Sequence, residues 1–292
     1  MDASTPTPSR RQFLKHAAVL PLAGVGLPLA SPGQSSQIGP TLRARVNATL
    51  LSATTVPGGT SMGHAYEPLR EVFSDVSDIL LMPFARLPED RDAYTRRMQR
   101  DFGKIEPRFK VRSLHQVDPS DAAAVVRDAE AFFISGGNTF LLLRELYDRF
   151  VVDLIRERIL QGVPYGGSSA GSNVAGTVIG TTNDFPITDI PTRRSFGLMP
   201  AVFNPHHPDP KTNERDFGSR QWKIGQYTDY NTDEVVVGVT DPGVLRIQGD
   251  QILLRGEAPA AAFVVYQNRK REVTRESGGD VSKAIRELKS DS

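Results

Sequence analysis

The chain has 292 residues, 39% of them apolar and 24% charged, a globular composition long enough for one large domain or two small ones. Its 35 Lys and Arg stand against 34 Asp and Glu, so no global field favours nucleic acid or an anionic membrane surface, and a small neutral or zwitterionic partner fits better. Cysteine is absent, which excludes disulfides, thiolate catalysis and Cys-ligated metals.

Residues 1–36 are set apart from the fold. Ser9-Arg10-Arg11-Gln12-Phe13-Leu14-Lys15 precedes an apolar run from Ala17 to Ala30 and then the polar SPGQSSQ, the pattern of a twin-arginine export signal and linker. The run is interrupted by Pro21 and Pro28 and is shorter than the ~20 residues of a spanning helix, so no stable membrane span is expected. The expected partner of this segment is the twin-arginine export machinery, and the expected location of the mature protein is periplasmic or otherwise exported.

From Val46 short apolar runs alternate with longer amphipathic ones, the pattern of βα units around a mostly parallel sheet with helices on both faces. Strands are expected at Asn47 to Ser52, Ile79 to Phe84, Lys110 to Leu114, Ala131 to Ile134 and Val163 to Tyr165. Helices are expected at Tyr66 to Asp75, Asp90 to Phe102 and Pro119 to Asp128, and one or two more between Thr139 and Gln161. Loop-rich sequence follows, with one helix near Asn213 to Gln226. Close-set strands come next, at Glu234 to Val239, Val244 to Gln248, Gln251 to Leu254 and Ala262 to Tyr266, read as antiparallel strands added at the sheet edge near the C-terminus. This organisation predicts a single α/β domain over 37–268 and a polar tail over 269–292, in which Val281, Ala284, Ile285 and Leu288 are spaced like a weak helical face.

The stretch VPYGGSSAGSNV, Val163 to Val174, carries the chemistry. Gly167, Ser169 and Gly171 form G-x-S-x-G, in which small residues let a strand turn sharply into a helix and leave a hydroxyl exposed, so Ser169 is the candidate nucleophile. A serine hydroxyl needs a base, and the chain has five histidines. His16 lies in the export segment, and His64 and His115 read as loop or surface residues. His206 and His207 sit in the Pro-flanked Phe203-Asn204-Pro205-His206-His207-Pro208, which suits a side chain held in one orientation. An adjacent His pair with Asp209 also admits a metal reading, but neighbouring side chains rarely converge on one ion, and no metal is expected. The base needs an orienting carboxylate. Asp184 in TTNDFP and Asp241 in VTDPG compete for that role, and each alone would be a turn residue. Ser135-Gly136-Gly137-Asn138-Thr139 follows a strand, so the Gly137 amide is expected to join that of Ala170 as an oxyanion hole, with Asn138 at the substrate.

These residues resemble the peptidase E family, aspartyl dipeptidases of the serine type whose fold is similar to class I glutamine amidotransferases. The resemblance runs from about Leu50 to about Tyr266 and rests on LLSATTVPG, LMPFARL, DAYTRRM, GGNTF, GGSSAGSNVAG, TTNDFPITD and NPH in that order. It places the family's nucleophile on Ser169, its base on His206 and its proposed orienting aspartate on Asp184. An acidic residue also considered for the third role, usually Glu, falls on Asp241. The family's substrate-recognising arginine matches Arg220. The resemblance implies hydrolysis of dipeptides with an N-terminal aspartate, without cofactor. The export signal departs from a family that is usually cytosolic. Rival readings are an α/β-hydrolase esterase, disfavoured because no histidine follows His207, an exported cyanophycinase-like peptidase, and a catalytically silent peptidase-like binding protein.

Overall fold

A computed structural model of the protein describes residues 44–209, 211–256, 261–268, 270–274 and 279–290. The twin-arginine segment lies outside them. Five short strands form the parallel part of a seven-stranded sheet: β1 (Asn47–Leu51), β2 (Asp78–Met82), β3 (Lys110–Ser113), β4 (Phe132–Ile134) and β5 (Tyr165–Ser168), in the spatial order β3-β2-β4-β5-β1. The free edge of β1 is extended by an antiparallel hairpin, β8 (Val244–Gln248) and β9 (Gln251–Arg255).

Strand periodicity decides which face each side chain serves. Leu80 and Met82 of β2, with Phe132 and Ile134 of β4, share one core with α3 (Ala122–Asp128), α4 (Thr139–Asp148) and α5 (Val152–Leu160). Their neighbours Ile79, Leu81 and Phe133 share the opposite core with α1 (Tyr66–Val72) and α2 (Arg91–Ile105), where Phe102 meets Phe133 edge-on at 5.0 Å between ring centroids. The sheet is therefore covered by helices on both faces, which is why the inner strands β2 and β4 read as short continuous apolar runs.

The structure departs from the sequence reading after β5. The strands β7 (Val236–Val239) and β10 (Phe263–Gln267) do not join the main sheet. They pair with each other, with β6 (Val202–Asn204) and with β11 (Lys270–Thr274) in a second, four-stranded sheet of order β11-β10-β7-β6. One face of this second sheet, with Phe203, Val237, Val239, Phe263 and Val265, merges with the main core. The other, with Val202, Val236, Val264 and Tyr266, is covered by Phe217 and Ile224 of α7 (Glu214–Tyr230). The segment expected as a polar tail is part of the fold: β11 extends the second sheet, and Val281, Ala284, Ile285 and Leu288 of α8 (Val281–Ser290) are buried in the main core. The four residues, spaced i, i+3, i+4 and i+7, form one apolar stripe that packs against β9 and β10. Among the described residues no helix is long and apolar enough to cross a membrane.

Candidate active site

The site forms where the two sheets meet. Strand β5 ends at Ser168 and a one-turn helix, α6 (Ala170–Asn173), begins at once, leaving Ser169 between them with φ 53° and ψ −109°. That backbone is unfavourable for a residue with a Cβ, by roughly 1–3 kcal/mol, and persists because both sides of the turn are fixed. The Ser169 amide donates to the Leu51 carbonyl at 3.0 Å, and its carbonyl accepts from the Asn173 amide at 2.8 Å. Gly171 is needed because a Cβ there would come within 2.1 Å of the Ile134 carbonyl oxygen on β4. The two adjacent serines separate cleanly: Ser168 is fully buried and hydrogen-bonded to the Thr54 hydroxyl, whereas Ser169 Oγ faces the site.

His206 and Asp241 arrive from the second sheet. Strands β6 and β7 are parallel, with Asn204 level with Gly238, so the segments leaving their carboxyl ends run side by side. His206 lies just past β6. Asp241 lies just past β7, in the Asp241-Pro242-Gly243 crossing by which the chain returns to the main sheet as β8. Ser169 Oγ is 2.7 Å from His206 Nε2, and His206 Nδ1 is 2.6 Å from Asp241 Oδ1. His206 takes φ 55°, a second non-glycine residue in the left-handed region. Its amide donates to Ser52 Oγ at 2.8 Å, and the Ser52 hydroxyl, just beyond β1, lies 2.8 Å from the Val239 carbonyl and 3.4 Å from Asp241 Oδ1.

Asp184, preferred from the resemblance as the orienting acid, is elsewhere. Its Oδ2 accepts from the Thr139 amide at 2.7 Å, from Thr139 Oγ1 at 2.6 Å and from Thr182 Oγ1 at 3.3 Å. It fastens its own loop to the first turn of α4, where free helix amides favour a carboxylate. The alternative, Asp241, holds the position at His206. The neighbours of Asp184 still brace the base: Asn183 Nδ2 donates to the Pro205 carbonyl at 3.3 Å, and Asn204 Nδ2 donates to the Thr181 carbonyl at 2.6 Å.

Asn138, expected at the substrate, is committed to the scaffold. Its Oδ1 accepts from the Leu141 amide at 3.0 Å as the N-cap of α4, and its Nδ2 donates to the Phe185 carbonyl at 2.8 Å. Gly136 packs closely enough on Ser169 that a Cβ would meet the Ser169 Cβ at 2.9 Å, which brings the Gly136-Gly137 turn to the nucleophile. Neither the Gly137 nor the Ala170 amide is paired with a backbone carbonyl outside the regular elements among the described residues. Because α6 is a single turn, any stabilisation of an oxyanion rests on these amides directly rather than on a helix dipole.

A cleft of about 790 Å³ opens beside the triad, with His206 and Asp241 on one wall and Ser219, Arg220 and Lys223 of α7 on the other. Arg220 reaches inward, its Nη1 donating to Asn204 Oδ1 at 2.8 Å and lying 3.4 Å from the His206 carbonyl. Burial lowers its pKa, opposed by Tyr266, Asp216 and Asp241 nearby. Among the described residues no carboxylate forms an ion pair with it. A partly buried guanidinium has the donor geometry to pair with a carboxylate through two parallel hydrogen bonds.

Two residues around Asp241 escaped the sequence reading. One is Ser52. The other is His64, half-buried beside the Ala53 backbone; burial lowers its pKa, and the Asp241 carboxylate and the Ala53 backbone oppose that. Both belong to the stretch that follows β1, the strand that lies between β5 and β8.

A nucleophile on a strained strand-to-helix turn, a histidine within hydrogen-bonding distance and a carboxylate behind it define a serine-type hydrolase on an α/β scaffold. The family model for peptidase family S51 matches residues 48–255. The chain belongs to that family and is a serine-type peptidase. It is similar to peptidase E of Shewanella oneidensis, 34% identical over 242 residues that cover 82% of this chain and 99% of that protein. A probable alpha-aspartyl dipeptidase of Drosophila melanogaster is 37% identical over 222 residues, 74% of this chain and 89% of that protein. A solved structure of a putative peptidase E protein from Listeria monocytogenes EGD-e has the same fold, with a TM-score of 0.55 at 18% identity over 73% of this chain and 99% of that one.

Proposed function

We propose that the protein is a dipeptidase that hydrolyses dipeptides with an N-terminal aspartate through an acyl-enzyme, with Ser169 as nucleophile, His206 as general base and Asp241 as orienting acid. The observation that carries the specificity is Arg220, the partly buried guanidinium that has no ion-pair partner among the described residues and faces the cleft beside the triad. The names of the similar proteins agree with it.

With the Asp241 carboxylate on Nδ1–H, His206 presents an unprotonated Nε2 to Ser169 and takes the hydroxyl proton as Oγ attacks the scissile carbonyl carbon. The Gly137 and Ala170 amides receive the oxyanion. The imidazolium passes its proton to the departing amine, leaving the aspartyl ester on Ser169. A water deprotonated by the same Nε2 then releases the aspartate and returns the hydrogen to Ser169. Arg220 holds the substrate's side-chain carboxylate through two parallel hydrogen bonds, a geometry that lysine's point charge does not reproduce.

Arg220→Met is expected to reduce kcat/KM for Asp-X dipeptides by roughly 10²-fold, about 2.7 kcal/mol, and to affect Asn-X much less. The check is the ratio of the two kcat/KM values before and after substitution; an unchanged ratio removes Arg220 from substrate recognition.

We also propose that the protein is exported by the twin-arginine route, on the strength of Arg10-Arg11 in Ser9 to Lys15 and the apolar run behind them. Replacing Arg10 and Arg11 by lysine is expected to leave folded precursor inside the cell, and undiminished protein in the periplasmic fraction would refute this.

A further inference from the structure

The adjacent histidines part company. His206 turns to Ser169, and His207 turns into the protein, where it is 2% exposed. His207 Nδ1 lies 2.9 Å from the Pro208 carbonyl oxygen, and its Nε2 lies 2.7 Å from the Tyr266 hydroxyl. A carbonyl only accepts, so Nδ1 carries the proton and Nε2 accepts the Tyr266 hydrogen, which fixes one neutral tautomer.

Three elements build a socket for this ring. Phe217 of α7 meets it at 5.4 Å and Tyr266 of β10 at 5.7 Å between ring centroids. Strand β7 runs beneath it as Gly238, where a Cβ would come within 2.3 Å of His207 Cδ2. The socket holds the turn that carries the base. A histidine at φ 55° stays there only where its surroundings over-determine it, and the backbone restraints are few. Among the described residues they are the Ser52 hydroxyl on the His206 amide, Arg220 at 3.4 Å from its carbonyl, the His207 amide donating to Val239 at 2.9 Å, and Asn183 Nδ2 on the Pro205 carbonyl at 3.3 Å.

We propose that His207 is a positioning residue for the reaction: seated as a neutral imidazole between the Pro208 carbonyl and the Tyr266 hydroxyl, it holds His206 within hydrogen-bonding distance of both Ser169 and Asp241. This rests on the reading of those three residues as the triad. The charged and titratable groups facing the ring are Arg220 from α7 and Tyr266 from β10, while β7 presents only a glycine. Burial, with Arg220 adding to it, lowers the His207 pKa to about 4, so the ring stays neutral where an ordinary histidine is charged.

The test uses the full chain with Tyr266→Phe, which keeps the aromatic ring, and with the double substitution His207→Phe, Tyr266→Phe. The readouts are the rate at which a fluorophosphonate labels Ser169, kcat and KM for an Asp-X dipeptide, and melting temperature at several pH values. Tyr266→Phe is expected to lower labelling and kcat about tenfold with KM nearly unchanged, the signature of a misplaced base rather than a damaged pocket. The double variant removes the hydroxyl and the ring nitrogens together and leaves only the half-exposed Pro208 carbonyl to water, so its melting temperature at pH 7 is expected at or above that of Tyr266→Phe while kcat stays about tenfold down.

The acid limb supplies a second signature. From the ordinary histidine pKa of about 6.5 down to about 4, the unfolded chain binds a proton at residue 207 that the folded protein refuses, so stability falls as pH falls through that window. The double variant loses this part of the slope. Wild-type labelling and kcat in either folded variant would overturn the proposal, and Tyr266→Phe decides alone if the double variant does not fold. A wild-type protein that fails to label at Ser169 overturns the triad and this proposal with it. One that labels but does not cleave Asp-X overturns only the substrate assignment, and the labelling arm then decides.

Discussion

Replacing Ser169 by alanine is expected to lower the hydrolytic rate by about 10³-fold or more, with the melting temperature almost unchanged. The hydroxyl contributes one hydrogen bond, to His206 Nε2 at 2.7 Å, and no packing, and the backbone bonds that hold the turn run through Ser169 N and O, which alanine keeps. His206→Ala is expected to cost a similar factor, because the nucleophile and the base act as one unit. The double variant should therefore be little worse than either single one. Initial rates on an Asp-X dipeptide against an enzyme-free blank decide it. Residual activity of Ser169→Ala within tenfold of wild type would show that the hydroxyl is not the nucleophile.

What the sequence made legible follows the distance over which each feature is determined. Strands β1, β2 and β4 were visible as short apolar runs flanked by turn residues, β3 by its alternation of exposed and buried positions, and α4 and α5 as one long amphipathic stretch that breaks at Arg149 to Val151. Strand β5 was read too early, ending at Tyr165, because Gly166-Gly167-Ser168 has poor strand propensity. Those residues are strand because β1 and β4 pair on either side of them and bury them completely. Of the second sheet only β7 and β10 were legible, and they read as edge strands of the main sheet. Strand β6 has only three residues, and β11 reads Lys-Arg-Glu-Val-Thr, with no apolar pattern to announce it.

The same blindness hid the orienting acid. Ser169 is specified locally, by a glycine pattern within five residues, and His206 nearly so, by the prolines around it. The choice between Asp184 and Asp241 depends on which loops lie side by side, and that is set by the parallel pairing of β6 with β7. Asp184 precedes the histidine in a polar loop and Asp241 follows a strand, and nothing within either segment says that one lies against α4 and the other against an imidazole.

The two aspartates therefore separate in a single experiment. Asp241→Asn is expected to reduce kcat by about 10³-fold, because the carboxylate accepts the Nδ1 proton of His206 at 2.6 Å. An amide in its place can present its NH2 to Nδ1 and so favour the tautomer that carries hydrogen on Nε2, where the base must be bare. It also removes the charge that stabilises the imidazolium during attack. Both side chains are about 42% exposed, so water offsets part of that electrostatic loss, and the tautomer effect carries most of the penalty. Asp184→Asn is expected to cost less than about tenfold in kcat and to appear mainly as lost stability, of roughly 1–2 kcal/mol, since the carboxylate accepts from Thr139 and Thr182 at the start of α4 and touches no reacting atom. Rates and melting temperatures measured together on the two variants give opposite patterns: an inactive, stable Asp241→Asn and an active, less stable Asp184→Asn. The reverse pattern would return the orienting role to Asp184 and require the loop from Thr181 to Phe185 to leave α4 and swing toward His206 during turnover.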